Sequence, residues 1–211
     1  MKEPKKAVKS SASRNGKKKT VPLSQHDNTP GVNFPIIGMG ASAGGLEAFE
    51  QFFKAMPVHE AEDNTKIQPN HVYIIPPGKD MAIFHSALHL SVPEHVRGLR
   101  LPIDAFFRSL AEDQGERAIC VILSGSGSDG TLGLRAIHGV GGVSFVQEPT
   151  TAKYDGMPSS AVQSGLATYV MPVEKITEQL VAFWLFHGRF LISPVSLSAR
   201  TANRASERDA R

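Results

Sequence analysis

From Phe34 onward, short apolar runs alternate with stretches in which apolar residues return every three or four positions. The runs at 35–39, 71–75, 118–123, 143–147 and 167–170 read as β-strands, and the stripes between them as helices. Leu46, Phe49, Phe53 and Met56 fall at i, i+3, i+7 and i+10. Ile103, Phe106, Phe107 and Leu110 fall at i, i+3, i+4 and i+7, and Val173, Ile176, Leu180 and Phe183 form a last stripe behind Pro172, a residue suited to a first helical turn. Residues 118–123 are apolar at every position, the pattern of a strand covered on both faces. The pattern therefore predicts an α/β fold: three αβα layers around a mostly parallel, doubly wound sheet. Alternation at Met81, Ile83, Leu88, Leu90 and Val92 adds a β-hairpin insertion, with a weak turn signal near 85–87.

Composition then sets the boundaries. A chain of 211 residues with 41% hydrophobic residues holds one medium domain and a real core, which excludes a wholly disordered or fibrous protein. Residues 1–33 are rich in Lys, Ser, Asn and Pro without periodicity and read as a disordered basic tail; 34–188 read as the domain and 189–211 as a frayed polar tail. Residues 1–20 hold eight Lys and Arg against Glu3, so the net charge of +3 describes the tail and the remainder is acidic. Such a tail can contact anionic partners, although a solvated tail is the commoner outcome. One cysteine, Cys120, allows no internal disulfide and no cysteine-based zinc cluster, which points to a reducing cytoplasm. The longest apolar run, 180–186, falls far short of the roughly 20 residues a membrane span needs. No apolar stretch follows the basic N-terminus, so no secretory signal is read there.

Two loops share one design, an apolar strand breaking into Gly and Ser before a helix. One is Gly38-Met39-Gly40-Ala41-Ser42-Ala43-Gly44-Gly45; the other is Ser124-Gly125-Ser126-Gly127-Ser128-Asp129-Gly130. In an open α/β sheet such loops lie beyond the carboxyl ends of the strands, where ligands bind. Gly40 to Gly44 reads G-x-S-x-G, a turn tight enough to expose a serine hydroxyl at a helix start. Ser42 is thus a candidate nucleophile, and Asp129 a carboxylate placed to orient a histidine through Nδ1–H. The plainer reading is that both residues cap helices, as Ser and Asp often do. Gly38, Gly40 and Ala43 also fit a dinucleotide fingerprint, but Glu60, Glu62 and Asp63 read as a polar loop and not as the acidic strand end that fingerprint requires.

With His71-Val72-Tyr73-Ile74-Ile75-Pro76-Pro77 and Tyr154-Asp155-Gly156-Met157-Pro158, these loops resemble the catalytic domain of CheB-type protein-glutamate methylesterases. The segment 101–110 is similar to versions fused to CheR-type methyltransferases. The resemblance runs from about Phe34 to Leu180. It implies a cytoplasmic Ser–His–Asp hydrolase of chemotaxis and phosphorelay signal transduction, acting on glutamyl methyl esters of a methylated chemoreceptor. Ser42 would be the nucleophile and Asp129 the histidine-orienting acid, with no metal or organic cofactor.

One feature departs from the family. Relatives carry the catalytic histidine at the end of a second strand, in a Gln-His stretch after the first helix; here Ala55-Met56-Pro57 runs straight into Val58-His59-Glu60. A unit on the order of 30 residues is missing. Of the eight histidines, His85, His89 and His95 lie in the segment leaving the carboxyl end of a strand and are the topologically allowed substitutes. The reading is an esterase impaired by loss of its base, and the alternative is an inactive CheB-like binding module for a receptor or signalling partner.

Overall fold

The computed structural model describes residues 32, 34–42, 45, 49, 56–93 and 100–187. The N-terminal tail apart from Val32, the C-terminal tail, His26, His95 and most of the first helical stripe, including Leu46 and Phe53, lie outside the described residues. In chain order the strands and helices are β1 (Ile37–Gly40), β2 (Val58–Glu60), β3 (Thr65–Lys66), β4 (Val72–Ile74), β5 (Asp80–Phe84), β6 (Ala87–Ser91), α1 (Pro102–Gln114), β7 (Ile119–Ile122), α2 (Thr131–Gly139), β8 (Val143–Gln147), α3 (Gly156–Gln163), β9 (Tyr169–Met171) and α4 (Val173–His187).

The main sheet has the order β1-β7-β8-β9 and every pairing in it is parallel. Gly40 pairs with Ile122 and Ile122 with Val146, so the strands end level and their loops emerge along one edge. All four residues of β7 are buried, as its unbroken apolar run predicts. Because strand side chains alternate, Cys120 and Ile122 point to one face and Ile119 and Val121 to the other. The first pair joins Phe107, Leu110, Leu134, Ile137, Met157 and Ala161 from α1, α2 and α3. The second joins Val173, Ile176 and Leu180 from α4. Two cores on opposite faces make the three layers, each fully buried Leu, Ile or Phe contributing about 1.5–3 kcal/mol. Burial also pushes the Cys120 thiol pKa far up, which makes it a packing residue and not a nucleophile.

The predicted hairpin is β5 paired antiparallel with β6, and β3 adds a third strand beside β6. Its turn departs from the usual chemistry. His85 (φ 49°) and Ser86 (φ 59°) both take the left-handed region that a two-residue turn normally gives to Asn or Gly. The Asp113 carboxylate holds this turn by accepting the Ser86 N–H at 3.2 Å.

The segment read as a polar loop instead contains β2, which pairs in parallel with β4 as a separate two-stranded sheet. All three residues of β2 are exposed, so no alternation marks it in the sequence. Glu60 therefore does end a strand. That strand pairs with β4 and not with β1, so it does not stand beside the Gly38 loop as a dinucleotide site requires. Among the described residues no helix is long and apolar enough to cross a membrane.

Candidate active site

The site grows from the level ends of β1, β7 and β8. Beyond β1 the Gly40 carbonyl accepts the Leu123 N–H at 2.9 Å, and the Ser42 N–H donates to the Ser124 carbonyl at 3.0 Å. The loop carrying Ser42 is thereby seated on the loop that follows β7. The Ser42 carbonyl accepts the Gly45 N–H at 3.0 Å, turning the chain sharply and leaving Ser42 exposed at the sheet edge. A Cβ on Gly125 would run into the Met157 side chain and stand 3.0 Å from the Ser42 Cβ, so glycine at 125 leaves room for both neighbours.

Ser124 is the hub of this edge. Its N–H donates to Gln147 Oε1 at 2.9 Å, and its hydroxyl accepts the Tyr154 N–H at 3.0 Å. Gln147 ends β8, is 4% exposed, and donates from Nε2 to the Thr151 carbonyl at 3.2 Å. The third loop closes over the second through Gly125 N–H to the Tyr154 carbonyl (3.0 Å) and Met157 N–H to the Gly125 carbonyl (2.9 Å). Buried polar groups are held only when paired, and here they are paired across three loops.

Asp129 is half-buried in the second loop, past Gly127 and before Gly130, both with positive φ. It does cap a helix, but not the one that follows it. Its Oδ2 accepts the Ile103 N–H at 3.1 Å and its Oδ1 the Asp104 N–H at 2.9 Å, both in the first turn of α1. Burial, and then the like charge of Asp104, push the Asp129 pKa up, while the backbone amides of Asp104, Ile103 and Gly130 oppose the shift. The Ile103 side chain fills the space a Cβ on Gly40 would need and would stand 3.1 Å from one on Gly130, so it wedges both loops. The N-terminal turn of α1 is thus a fourth wall of the site. The sequence offered Ile103 as a core stripe, Ser124 as the first residue of the second loop and Gln147 as a strand end, and gave no pointer to the bonds between them; the visible signal at α1 was Pro102 with an acid two residues on.

The histidines fall elsewhere. The His85 ring centroid is 3.9 Å from that of Phe84, and His89 meets the same Phe84 ring edge-on at 6.3 Å. Both gather at the hairpin tip, which is tied to Asp113, while Asp129 is tied to Asp104 at the other end of α1, about 14 Å away along the axis. Neither His85 nor His89, the two described substitutes that topology allowed, therefore stands beside Asp129. His59 stacks on His71 at 5.3 Å on the β2–β4 pair, and His138 is exposed in the last turn of α2. His26, His95 and the His187 side chain lie outside the described residues. Among the described residues no group of His, Cys, Asp and Glu is arranged to hold a metal ion.

Against known proteins, the family model for CheB methylesterase matches residues 54–180, a span that begins after the Ser42 loop. An uncharacterized 104.1 kDa protein of Rhodobacter capsulatus is 45% identical over 121 residues, 57% of this chain and 13% of that protein. A protein-glutamate methylesterase/protein-glutamine glutaminase of Pseudomonas aeruginosa is 30% identical over 181 residues, 69% of this chain and 52% of the relative. The chain thus matches about half, or much less, of the length of these two relatives. The crystal structure of the Thermotoga maritima CheB methylesterase catalytic domain aligns with a TM-score of 0.65 at 26% identity, covering 72% of this chain and all of that one.

Proposed function

The chain belongs to the CheB methylesterase family, and on that premise we propose that it carries the nucleophile and the acid of a protein-glutamate methylesterase but turns over slowly for want of a base. The substrate is a methylated chemoreceptor. The Ser42 hydroxyl attacks the ester carbonyl carbon, the bond to the methoxy oxygen breaks, and methanol leaves with the serine proton. Water then cleaves the acyl-serine, releasing the glutamate carboxyl and regenerating Ser42. Asp129 is the group that orients a protonating imidazole in such a triad.

The observation that carries this reading is the seating of the Ser42 amide on the Ser124 carbonyl, which puts the nucleophile loop against the loop bearing Asp129. The missing base is supported by the histidines placed at the hairpin tip and on β2–β4. It is supported also by length. The Pseudomonas match runs over 181 positions yet takes in 69% of the 211 residues, about 146, whereas the Rhodobacter match runs over 121 positions and takes in 57%, about 120. Some 35 positions of the first relative have no counterpart here, the size of one strand-and-helix unit, on the order of 30 residues. Removing the histidine of a serine triad costs about a millionfold in kcat.

The test inserts a relative's strand-and-helix unit between Pro57 and Val58 and measures methanol released from methylated receptor, with and without Ser42→Ala. The expected result is release that depends on Ser42. Release that survives Ser42→Ala overturns the assignment. Binding of methylated receptor with no release from the restored protein identifies a binding module instead.

A further inference from the structure

We propose that Asp104 is the positioning residue of this site: it locks the first turns of α1 and α2 together and so fixes where Asp129 stands. The inference rests on Asp129 being the acid of the proposed reaction. Neither helix is capped by the residue that precedes it, since Leu101 and Gly130 make no side-chain cap. The caps are exchanged instead. Asp129, before α2, accepts the Ile103 and Asp104 amides of α1, and Asp104, in α1, accepts the Gly133 amide of α2 at 2.7 Å. These are amides that a helix start leaves without partners, at the positive end of each dipole.

The exchange works because the helices touch at this point. A Cβ on Gly133 would lie 2.5 Å from the Phe107 Cβ and 3.1 Å from the Asp104 Cα. Asp104 is 1% exposed, and its second oxygen, Oδ2, has no hydrogen-bond partner. Burying a carboxylate with one oxygen unpaired is costly. Asparagine would keep the acceptor for Gly133 but put an equally unpaired NH2 where Oδ2 stands, so what aspartate alone supplies here is a negative charge. Its field falls on Asp129, where the other groups acting on the carboxyl are the backbone amides of Ile103, Asp104 and Gly130. A like charge makes Asp129 a more basic acceptor, which strengthens its bond to an imidazole Nδ1–H. Asp104 touches no reacting atom and acts through Asp129 alone.

The test uses the full chain with Asp104→Asn and Asp104→Ala. The readouts are the pH titration of the Asp129 carboxyl carbon by NMR and hydrogen exchange of the Ile103 amide. Asp104→Asn keeps the Gly133 acceptor and removes the charge, so Ile103 stays protected and Asp129 titrates at lower pH than in the parent. Asp104→Ala loses the acceptor; Ile103 then exchanges at least tenfold faster and Asp129 titrates above its midpoint in the Asn variant. An Asp129 midpoint unmoved by Asp104→Asn overturns the proposal, and that variant decides alone if the alanine protein does not fold. Neither readout uses ester turnover, so failure of the methylesterase reading and failure of this one are separable.

Discussion

Replacing Gly156 by alanine puts one methyl group into a close backbone contact between the loop bearing Asp129 and the start of α3. Its Cβ would stand 2.8 Å from the Gly127 nitrogen, 3.2 Å from the Gly127 oxygen and 3.3 Å from the Gly125 oxygen. All three are backbone atoms, so no side chain can rotate away. Reaching ordinary van der Waals separation, about 3.5 Å, requires the loop and the helix start to part by roughly 0.7 Å. That stretches the Gly125-to-Tyr154 and Met157-to-Gly125 hydrogen bonds, now 3.0 and 2.9 Å. Overpacking of this kind costs about 1–3 kcal/mol and each weakened hydrogen bond up to about 1, against a gain of at most about 1 from replacing glycine in a helix. The net expectation is a loss of about 1–3 kcal/mol, or roughly 3–10 °C in Tm for a domain of this size. Gly139→Ala is the control: it closes α2, and nothing lies within 4 Å of the added methyl group. It should raise stability by up to about 1 kcal/mol. Urea unfolding followed by far-UV circular dichroism reads both. A Gly156→Ala protein as stable as Gly139→Ala would refute the seating of α3 on the acid loop.

Gln147→Leu leaves the buried Ser124 N–H and the Thr151 carbonyl without their partner and should cost about 2–4 kcal/mol by the same urea assay; a change under about 0.5 would remove Gln147 from the network. Asp129 has a raised pKa in the folded chain, so the stability it contributes is complete below the ordinary aspartate range and is lost as pH rises through its folded midpoint. The stability of the parent minus that of Asp129→Asn should therefore fall as pH is raised from 3 toward 7, and a difference that grows instead would contradict the burial of this carboxyl. His85→Ala and His89→Ala should each leave methanol release within about twofold, because both rings are held at the hairpin tip; a tenfold loss from either would restore it as the base.

What the sequence made legible follows burial. Residues 118–123 announced β7 because both faces of that strand are covered, and the stripes of α1 and α4 announced the two layers that cover it. Val58-His59-Glu60 announced nothing, since a strand exposed on both faces has no periodicity. Helix α3 was unreadable for a different reason. Gly156, Pro158, Ser159 and Ser160 are poor helix formers, and packing of Met157, Pro158 and Ala161 beneath the acid loop overrides them. The hairpin turn hid because His85 and Ser86 hold positive φ with help from Asp113, 27 residues away from Ser86. Ser42 and Asp129 were legible as loop residues between a strand and a helix. The partners of Asp129 were not, because a capping carboxylate is expected on its own helix and this one reaches across to α1.

One rate ratio bears most directly on the account: methanol released from methylated receptor by the chain as it stands, against the same chain with a strand-and-helix unit inserted after Pro57. An increase of at least a thousandfold is expected if the nucleophile and acid are in place and only the base is absent. Equal rates in the two proteins, whether fast or nil, would contradict it.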